Sequence, residues 1–195
     1  GIQIGDNLFL LNKYDAVANI VKELPYVENT RINRELPSTL VIEVTECGTP
    51  MTVVQDGSAW LISSRGKIVD QLGVSAAADY AQITGCQLLS PSVGTKLALA
   101  TDFSTQQSSL LELLNALEQA DMMDQVDGIR LDDLSVIRMD YDGRFTVKMP
   151  YGTDYVRKLQ ILQMALESEY VQDNMTGTFD LQLDDSRIFF RQNVR

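Results

Sequence analysis

The sequence predicts an α+β fold, in which a small strand-helix-helix-strand-strand unit precedes a larger, mostly antiparallel sheet with flanking helices. Leu40, Ile42 and Val44 alternate with polar or smaller residues, as a half-buried strand requires. Leucines at 110, 113, 114 and 117 form the apolar stripe of an amphipathic helix. Turn signals such as Asp56-Gly57 separate short alternating runs from residue 51 onward.

The first unit is defined by one helix and two Leu-Pro steps. The apolar stripe of the helix has the spacing i, i+3, i+4, i+7 and consists of Val17, Ile20, Val21 and Leu24, with Asn12 as its N-cap. Proline disfavours helix at the preceding residue, so Leu24-Pro25 and Leu36-Pro37 mark boundaries. They bracket one strand and introduce a second. Residues 2–9 predict a short strand, a turn and the start of another short helix.

The rest of the chain alternates between short strands and two helices. We expect strands at 51–54, 60–63, 67–71, 83–89, 128–131, 137–141 and 145–149. The two helices are expected at 105–120, capped by Ser104, and at 154–166, capped by Thr153. A closing hairpin pairs residues 179–183 with residues 187–193 through a turn at 184–186.

Charge argues against a nucleic-acid protein. The formal net charge is -11, whereas nucleic-acid binding needs a basic surface. Residues 102–142 carry most of the excess, with 2 Lys+Arg against 10 Asp+Glu, which gives -8. A solvated helix with its loops is the favoured interpretation, and an acidic partner-binding face is the alternative.

The residue types argue against catalysis, cofactors and metals. The chain has no histidine, which removes Ser-His and Cys-His activation and histidine zinc sites. Asp132-Asp133 and Asp184-Asp185 fall at expected turns, and Asp142-Gly143 is better read as a hairpin turn than as a calcium loop. The number of carboxylates in the chain does not exclude a hydrolase that uses a pair of carboxyl groups.

Cys47 and Cys86 form no Cys-x-x-Cys motif, so neither a thiolate zinc site nor a redox motif follows. An extracytoplasmic compartment would permit a disulfide. Two free, partly buried thiols are favoured over a bridge. The single Trp60 is expected to pack against the larger sheet.

Several motifs resemble the FtsQ/DivIB family of bacterial cell-division proteins. They are Gly5-x-Asn7-Leu8-Phe9, Leu24-Pro25-Tyr26-Val27 and Arg34-x-Leu36-Pro37-x-Thr39-Leu40-x-Ile42-x-Val44-x-Glu46. The resemblance implies a POTRA domain at residues 1–47 and a β domain at 48–195. It also implies a single transmembrane helix before this region, which would lie on the extracytoplasmic side of the plasma membrane at the septum. A non-catalytic scaffold with FtsB/DivIC-type and FtsL-type partners is then expected.

The final strand is the main candidate for partner binding. Ile188 and Phe190 share one face, and Phe189 points to the other, between Arg187 and Arg191. If this is an edge strand, its free backbone groups would accept a partner strand. Gln192 lies on the same strand and is therefore a further candidate for partner contact. The alternative is that the last helix covers Phe189. The resemblance implies that partners dock at these C-terminal strands.

The predicted POTRA sheet offers a second edge, where Arg31 and Arg34 are candidate partner contacts. The favoured alternative there is the solvated face of an ordinary strand. Two other functions remain open. One is a POTRA-type chaperone or translocation module, and the other is a cell-wall hydrolase with acidic catalysis.

Overall fold

The computed structural model describes residues 4, 7, 9–183 and 187–193. It contains a two-stranded sheet and a nine-stranded sheet. The helices are α1 (Lys13–Glu23), α2 (Ser104–Gln119) and α3 (Tyr155–Leu166). The strands are β1 (Val27–Glu35), β2 (Thr39–Glu46), β3 (Met51–Gln55), β4 (Ser58–Ile62), β5 (Ile68–Gly73), β6 (Gln82–Thr84), β7 (Val126–Arg130), β8 (Val136–Tyr141), β9 (Phe145–Pro150), β10 (Gly177–Asp180) and β11 (Phe189–Gln192).

The first unit has the helix and the hairpin that its sequence predicts. The Asn12 side chain accepts a hydrogen bond from the Tyr14 backbone N–H, which confirms the cap of α1. β1 and β2 pair antiparallel on either side of a cis Leu36–Pro37 peptide bond. The predicted first strand falls largely on residues 1–3, 5, 6 and 8, outside the described part of the chain.

The nine-stranded sheet is mixed but mostly antiparallel, in the order β11-β10-β9-β8-β7-β6-β3-β4-β5. Among the strands that the structure describes, β3–β6, β6–β7 and β9–β10 are the parallel pairs. Two of these parallel pairs follow from crossovers, since α2 lies in the chain between β6 and β7, and α3 lies between β9 and β10. The predicted α+β class is therefore confirmed.

The main core lies between this sheet and helices α2 and α3. The predicted leucine stripe of α2 is fully buried there, beside Leu159 and Leu162 of α3. The strands contribute alternate residues, such as Val147 and Met149 of β9, to the same core. Because side chains alternate along a strand, Thr146 and Lys148 lie on the opposite face of the sheet.

Three predicted boundaries before the closing hairpin are wrong. Residues 83–89 give only the short strand β6, because the chain turns at Gly85 with φ +75° and passes against the Asp132 backbone, where a Cβ would meet the amide nitrogen at 2.4 Å. Ser104 is the first residue of α2 and not its cap, since a short 3-10 turn leads into the helix. Asp154, not Thr153, caps α3 by accepting from the Arg157 N–H.

The closing hairpin is shorter than predicted, because β11 begins at Phe189 and β10 ends at Asp180. Its predicted turn at 184–186 lies outside the described residues. The chain passes from the two-stranded sheet to the nine-stranded sheet between β2 and β3. The domain boundary at 47/48 stays a prediction.

Candidate partner-binding edge

β11 is the terminal strand of the nine-stranded sheet, so one of its edges has no neighbouring strand among the described residues. It pairs antiparallel with β10 through Thr178–Arg191 and Phe179–Phe190. An unpaired strand edge presents backbone N–H and C=O groups that can bind another strand. The location is the one that the sequence predicts for a partner site.

The two faces of β11 differ as its alternation predicts. The Phe190 ring lies 4.7 Å from the Phe179 ring and 6.0 Å from the Phe145 ring, between centroids. Ile188, just before the strand, also packs against the core. These aromatic contacts attach β11 to the sheet and add to the energy of apolar burial.

Phe189 points away from the core and is 51% exposed. The alternative in which the last helix covers it is therefore wrong. A half-exposed phenylalanine on an edge strand is available as an apolar anchor for a binding partner. Arg187, Arg191 and Gln192 are also exposed, so the strand has the polar rim that the sequence predicts.

A shallow cavity of about 420 Å³ lies beside Phe189 on the open face of the sheet. Its lining residues are Lys148, Thr178, Asp180, Leu183, Phe189, Phe190 and Arg191. Strand pairing produces this group, because Asp180 lies opposite Lys148 on one side and opposite Phe189 on the other. Thr178 lies opposite Arg191 in the next row.

Lys148 is a candidate contact that the sequence interpretation missed. It makes no ion pair within the described part of the chain, and its side chain is half-buried on the open face. The alternation of β9 places Lys148 on the face away from the core. The parallel β9–β10 pairing that brings it within two strands of Phe189 has no local sequence signal.

Arg31 and Arg34, the other predicted site residues, lie on β1 and far along the chain from β11. Arg31 is exposed and lies opposite Glu43 of β2. Arg34 is half-buried, and its Nη2 donates to the Leu11 carbonyl oxygen at 2.5 Å. The described structure thus contains two separate candidate surfaces, one for each sheet.

Asp132 and Asp133, the predicted acidic pair that lies within the described residues, both form ion pairs with Arg138. Asp133 accepts from both the backbone N–H and the hydroxyl of Ser135 and pairs with Arg138 at 2.6 Å. The Ser135 hydrogen bonds, with the nearby Arg138 guanidinium, lower the pKa of Asp133. A general acid in a glycosidase needs the opposite shift.

Asp142 and Gly143 have φ values of 56° and 62° and form the tight β8–β9 hairpin turn, as predicted. The Gly143 N–H donates to Asp127, and Arg144 bonds to Asp142. Within residues 4, 7, 9–183 and 187–193, no group of three or more acidic or cysteine side chains has metal-binding geometry.

Both cysteines are free and half-buried. The Cys47 thiol donates to the Glu28 carboxylate at 3.1 Å. Burial, followed by this hydrogen bond to Glu28, raises the pKa of Cys47 to about 12. Burial raises the pKa of Cys86 to about 11. Both thiols are therefore protonated at neutral pH and are poor nucleophiles.

None of the helices within the described residues is long and apolar enough to cross a membrane.

Comparison with known proteins agrees with the resemblance seen in the motifs. Residues 1–46 match the family of POTRA domains, FtsQ-type. A cell division protein FtsQ of Geotalea daltonii is 25% identical over 96% of this chain and 66% of its own length. A cell division protein DivIB of Clostridium botulinum is 23% identical over 97% of this chain and 72% of its own.

A cell division protein FtsQ of Corynebacterium glutamicum is 29% identical over 64% of this chain and 55% of its own length. The chain thus spans little more than half of this relative and about two thirds of the Geotalea protein. Together, the POTRA match and these relatives support the chain as an FtsQ/DivIB extracytoplasmic region.

Proposed function

We propose that this chain is a non-catalytic scaffold of the bacterial divisome, which recruits or stabilises FtsB/DivIC-type and FtsL-type division proteins. The relatives named as cell division proteins support the division role. The observation that carries the binding mechanism is the exposed edge strand β11, with Phe189 half-exposed beside the 420 Å³ cavity. In this proposal the whole protein is anchored by one transmembrane helix and faces the extracytoplasmic side at the septum.

The proposed mechanism is strand addition. A partner strand bonds to the free backbone edge of β11, and its side chains alternate between the two faces of the extended sheet. On the open face of the sheet, the partner's side chains would lie beside Phe189 and Arg191. An apolar partner residue suits the position beside Phe189, and an acidic one suits the position beside Arg191. Lys148 supplies a second cation at the cavity for a partner carboxylate.

The test is binding of this region to the extracytoplasmic parts of an FtsB/DivIC-type and an FtsL-type protein, alone and together. Phe189→Asp places a charge at the apolar anchor and is expected to weaken binding at least tenfold, which is typical of a hot-spot residue. Val54→Asp is a matched control, because Val54 is 43% exposed on β3, away from β11. Both variants keep the buried core intact.

Binding weakened by Phe189→Asp but not by Val54→Asp supports the site at β11. Equal binding by both variants retains the scaffold function and moves the site away from β11. An absence of binding to a cognate pair at high concentration contradicts the proposed partners. The chaperone and hydrolase alternatives would then be tested next.

A further inference from the structure

The first unit is attached to the nine-stranded sheet without sharing its main core. The buried members of that core run from Met51 to Leu181, and among the described residues none of them lies in the first unit. The buried residues of the first unit, Val27, Thr30 and Ile32, lie outside this core. The main core therefore does not fix the orientation of the first unit relative to the large sheet.

Lys67 makes one polar contact across the junction. Its backbone belongs to the large sheet, since its N–H donates to the Ser63 hydroxyl at 3.1 Å and its carbonyl accepts from the Ser63 N–H at 2.8 Å. Its Nζ donates to the Val21 carbonyl at 3.2 Å and to the Val27 carbonyl at 3.0 Å. Val21 lies in the last turn of α1, where the helix dipole is negative, and Val27 begins β1. One ammonium group therefore holds both elements.

Tyr26 and Asp70 make another polar contact between the first unit and β5. The Tyr26 hydroxyl donates to Asp70 Oδ2 at 2.8 Å. The other oxygen of the Asp70 carboxylate accepts from the Gln71 backbone N–H at 2.8 Å, which orients the carboxylate on β5. Tyr26 is 46% exposed, so water can replace either partner when the bond breaks. The contact can therefore open without leaving a buried polar group unpaired.

Gly48 lies at the point where the chain passes from one unit to the other. On one side of it, the Cys47 N–H donates to the Tyr26 carbonyl at 2.8 Å, within the first unit. On the other side, the Thr49 hydroxyl donates to Asp124 at 2.6 Å, within the larger unit. A Cβ at Gly48 would meet nothing closer than 3.7 Å, so the surroundings do not confine this residue. A glycine between two anchored residues has the backbone freedom of a hinge.

We propose that Gly48 is a hinge and that Lys67, together with the Tyr26–Asp70 pair, is a latch that holds the first unit in one orientation against the nine-stranded sheet. Opening the latch lets the first unit rotate about Gly48 while both units stay folded. The rotation changes the angle between β1 and the β11 edge, so a ligand that contacts both units would select one orientation. This conformational device does not depend on the proposed scaffold function.

The test measures the distance between the two units with a pair of spin labels and double electron–electron resonance. Glu43→Cys on β2 and Gln160→Cys on α3 place the labels at exposed positions of the two units. Cys47 and Cys86 are half-buried, protonated and poorly nucleophilic, so labelling at neutral pH favours the introduced cysteines. With the latch intact, we expect one narrow distance peak.

The latch variant combines Lys67→Met with Tyr26→Phe, which removes the ammonium and the hydroxyl that cross the junction. We expect it to lose the narrow peak and to give a broad distribution. Tyr14→Phe with Lys96→Met is the matched control, because it removes the same groups from positions that make no hydrogen bond across the junction within the described residues. The control should keep the narrow peak.

Gly48→Ala tests the hinge. Alanine has less backbone freedom than glycine, so adding Gly48→Ala to the latch variant should narrow the broad distribution. An equally broad distribution would overturn the hinge at Gly48.

A label pair within the first unit, at Asn19→Cys and Glu35→Cys, separates rotation from unfolding. Loss of the peak between the units with an unchanged peak within the first unit supports the proposal. An unchanged peak between the units in the latch variant, or a broad distribution with the latch intact, would overturn it. Loss of both peaks would also overturn it, because the same groups would then be holding the first unit folded. No partner is present in this experiment, so its outcome is independent of the Phe189→Asp result.

Discussion

The α1–β1–β2 unit and the nine-stranded sheet contain similar apolar residues but bury them very differently. α1 has no buried residue, and β1 and β2 bury only Val27, Thr30 and Ile32. In contrast, α2 alone buries seven residues, four of them leucines that are completely inaccessible to solvent. The unit with the more recognisable sequence motifs is thus the less densely packed one.

Recognisable sequence motifs and dense packing therefore occur in different regions of this chain. The Leu-Pro steps and the Arg34–Glu46 motif describe turns, strand edges and exposed surface. The second sheet is specified by alternation and volume, which many sequences satisfy equally well.

A matched pair of side-chain truncations is the most direct test of this difference in packing. Leu114→Ala removes a fully buried side chain between α2 and the sheet, and we expect it to lower the free energy of unfolding by about 2–5 kcal/mol. Ile42→Ala, at a side chain 43% exposed on β2, should cost less than about 1.5 kcal/mol. Urea unfolding measures both, and similar costs would show that the two regions are equally well packed.

Lys67 joins the two regions, and its removal tests whether they unfold together. Its Nζ donates to the Val21 carbonyl at 3.2 Å and to the Val27 carbonyl at 3.0 Å. We expect Lys67→Met to destabilise α1 and β1 by about 1.5–3 kcal/mol, the range for hydrogen bonds to a charged group. Amide hydrogen exchange should increase there and stay unchanged in α2 and α3.

Lys96→Met is the control for this variant, because Lys96 lies opposite Lys67 in an isolated bridge and its side chain makes no hydrogen bond to the described residues of the first unit. A uniform increase in exchange across the whole chain would show that both sheets unfold as one cooperative unit. In that case the contrast in packing has no thermodynamic consequence.

A substitution at Gly177 tests how tightly β11 packs against the rest of the nine-stranded sheet. A Cβ at this position would lie 2.4 Å from the Arg191 carbonyl oxygen and 2.7 Å from the Phe190 ring. Gly177→Ala should therefore displace β11 and cost about 1–3 kcal/mol, as overpacking does. Gly48→Ala, whose Cβ meets nothing closer than 3.7 Å, is the control. An unchanged affinity for the proposed partners in Gly177→Ala would contradict binding at β11.

The smallest expected effect is a pH dependence at the base of the first unit. The pKa of Cys47 is raised to about 12, so the folded state holds this proton more tightly than the unfolded state does. Its contribution is fully present below the unfolded pKa of about 9 and is lost as pH rises toward 12. Cys47→Ala should make the fall in stability between pH 9 and pH 11 shallower in urea unfolding, and an unchanged slope would contradict this.

The sequence by itself determined the α+β class, most helices and strands, the cap at Asn12, and the two faces of β11. These are local properties, since periodicity and turn residues are read within a few positions. Ser104 and Thr153 were wrong as caps because neighbouring residues with equal capping ability, or a 3-10 turn, moved the helix start by one residue.

Only the tertiary structure decided which strands are neighbours. The parallel β9–β10 pairing across α3 places Lys148 and Asp180 in line with Phe189, and no short stretch of sequence encodes that register. Sites built from distant segments depend on packing, and packing is a property of the whole chain.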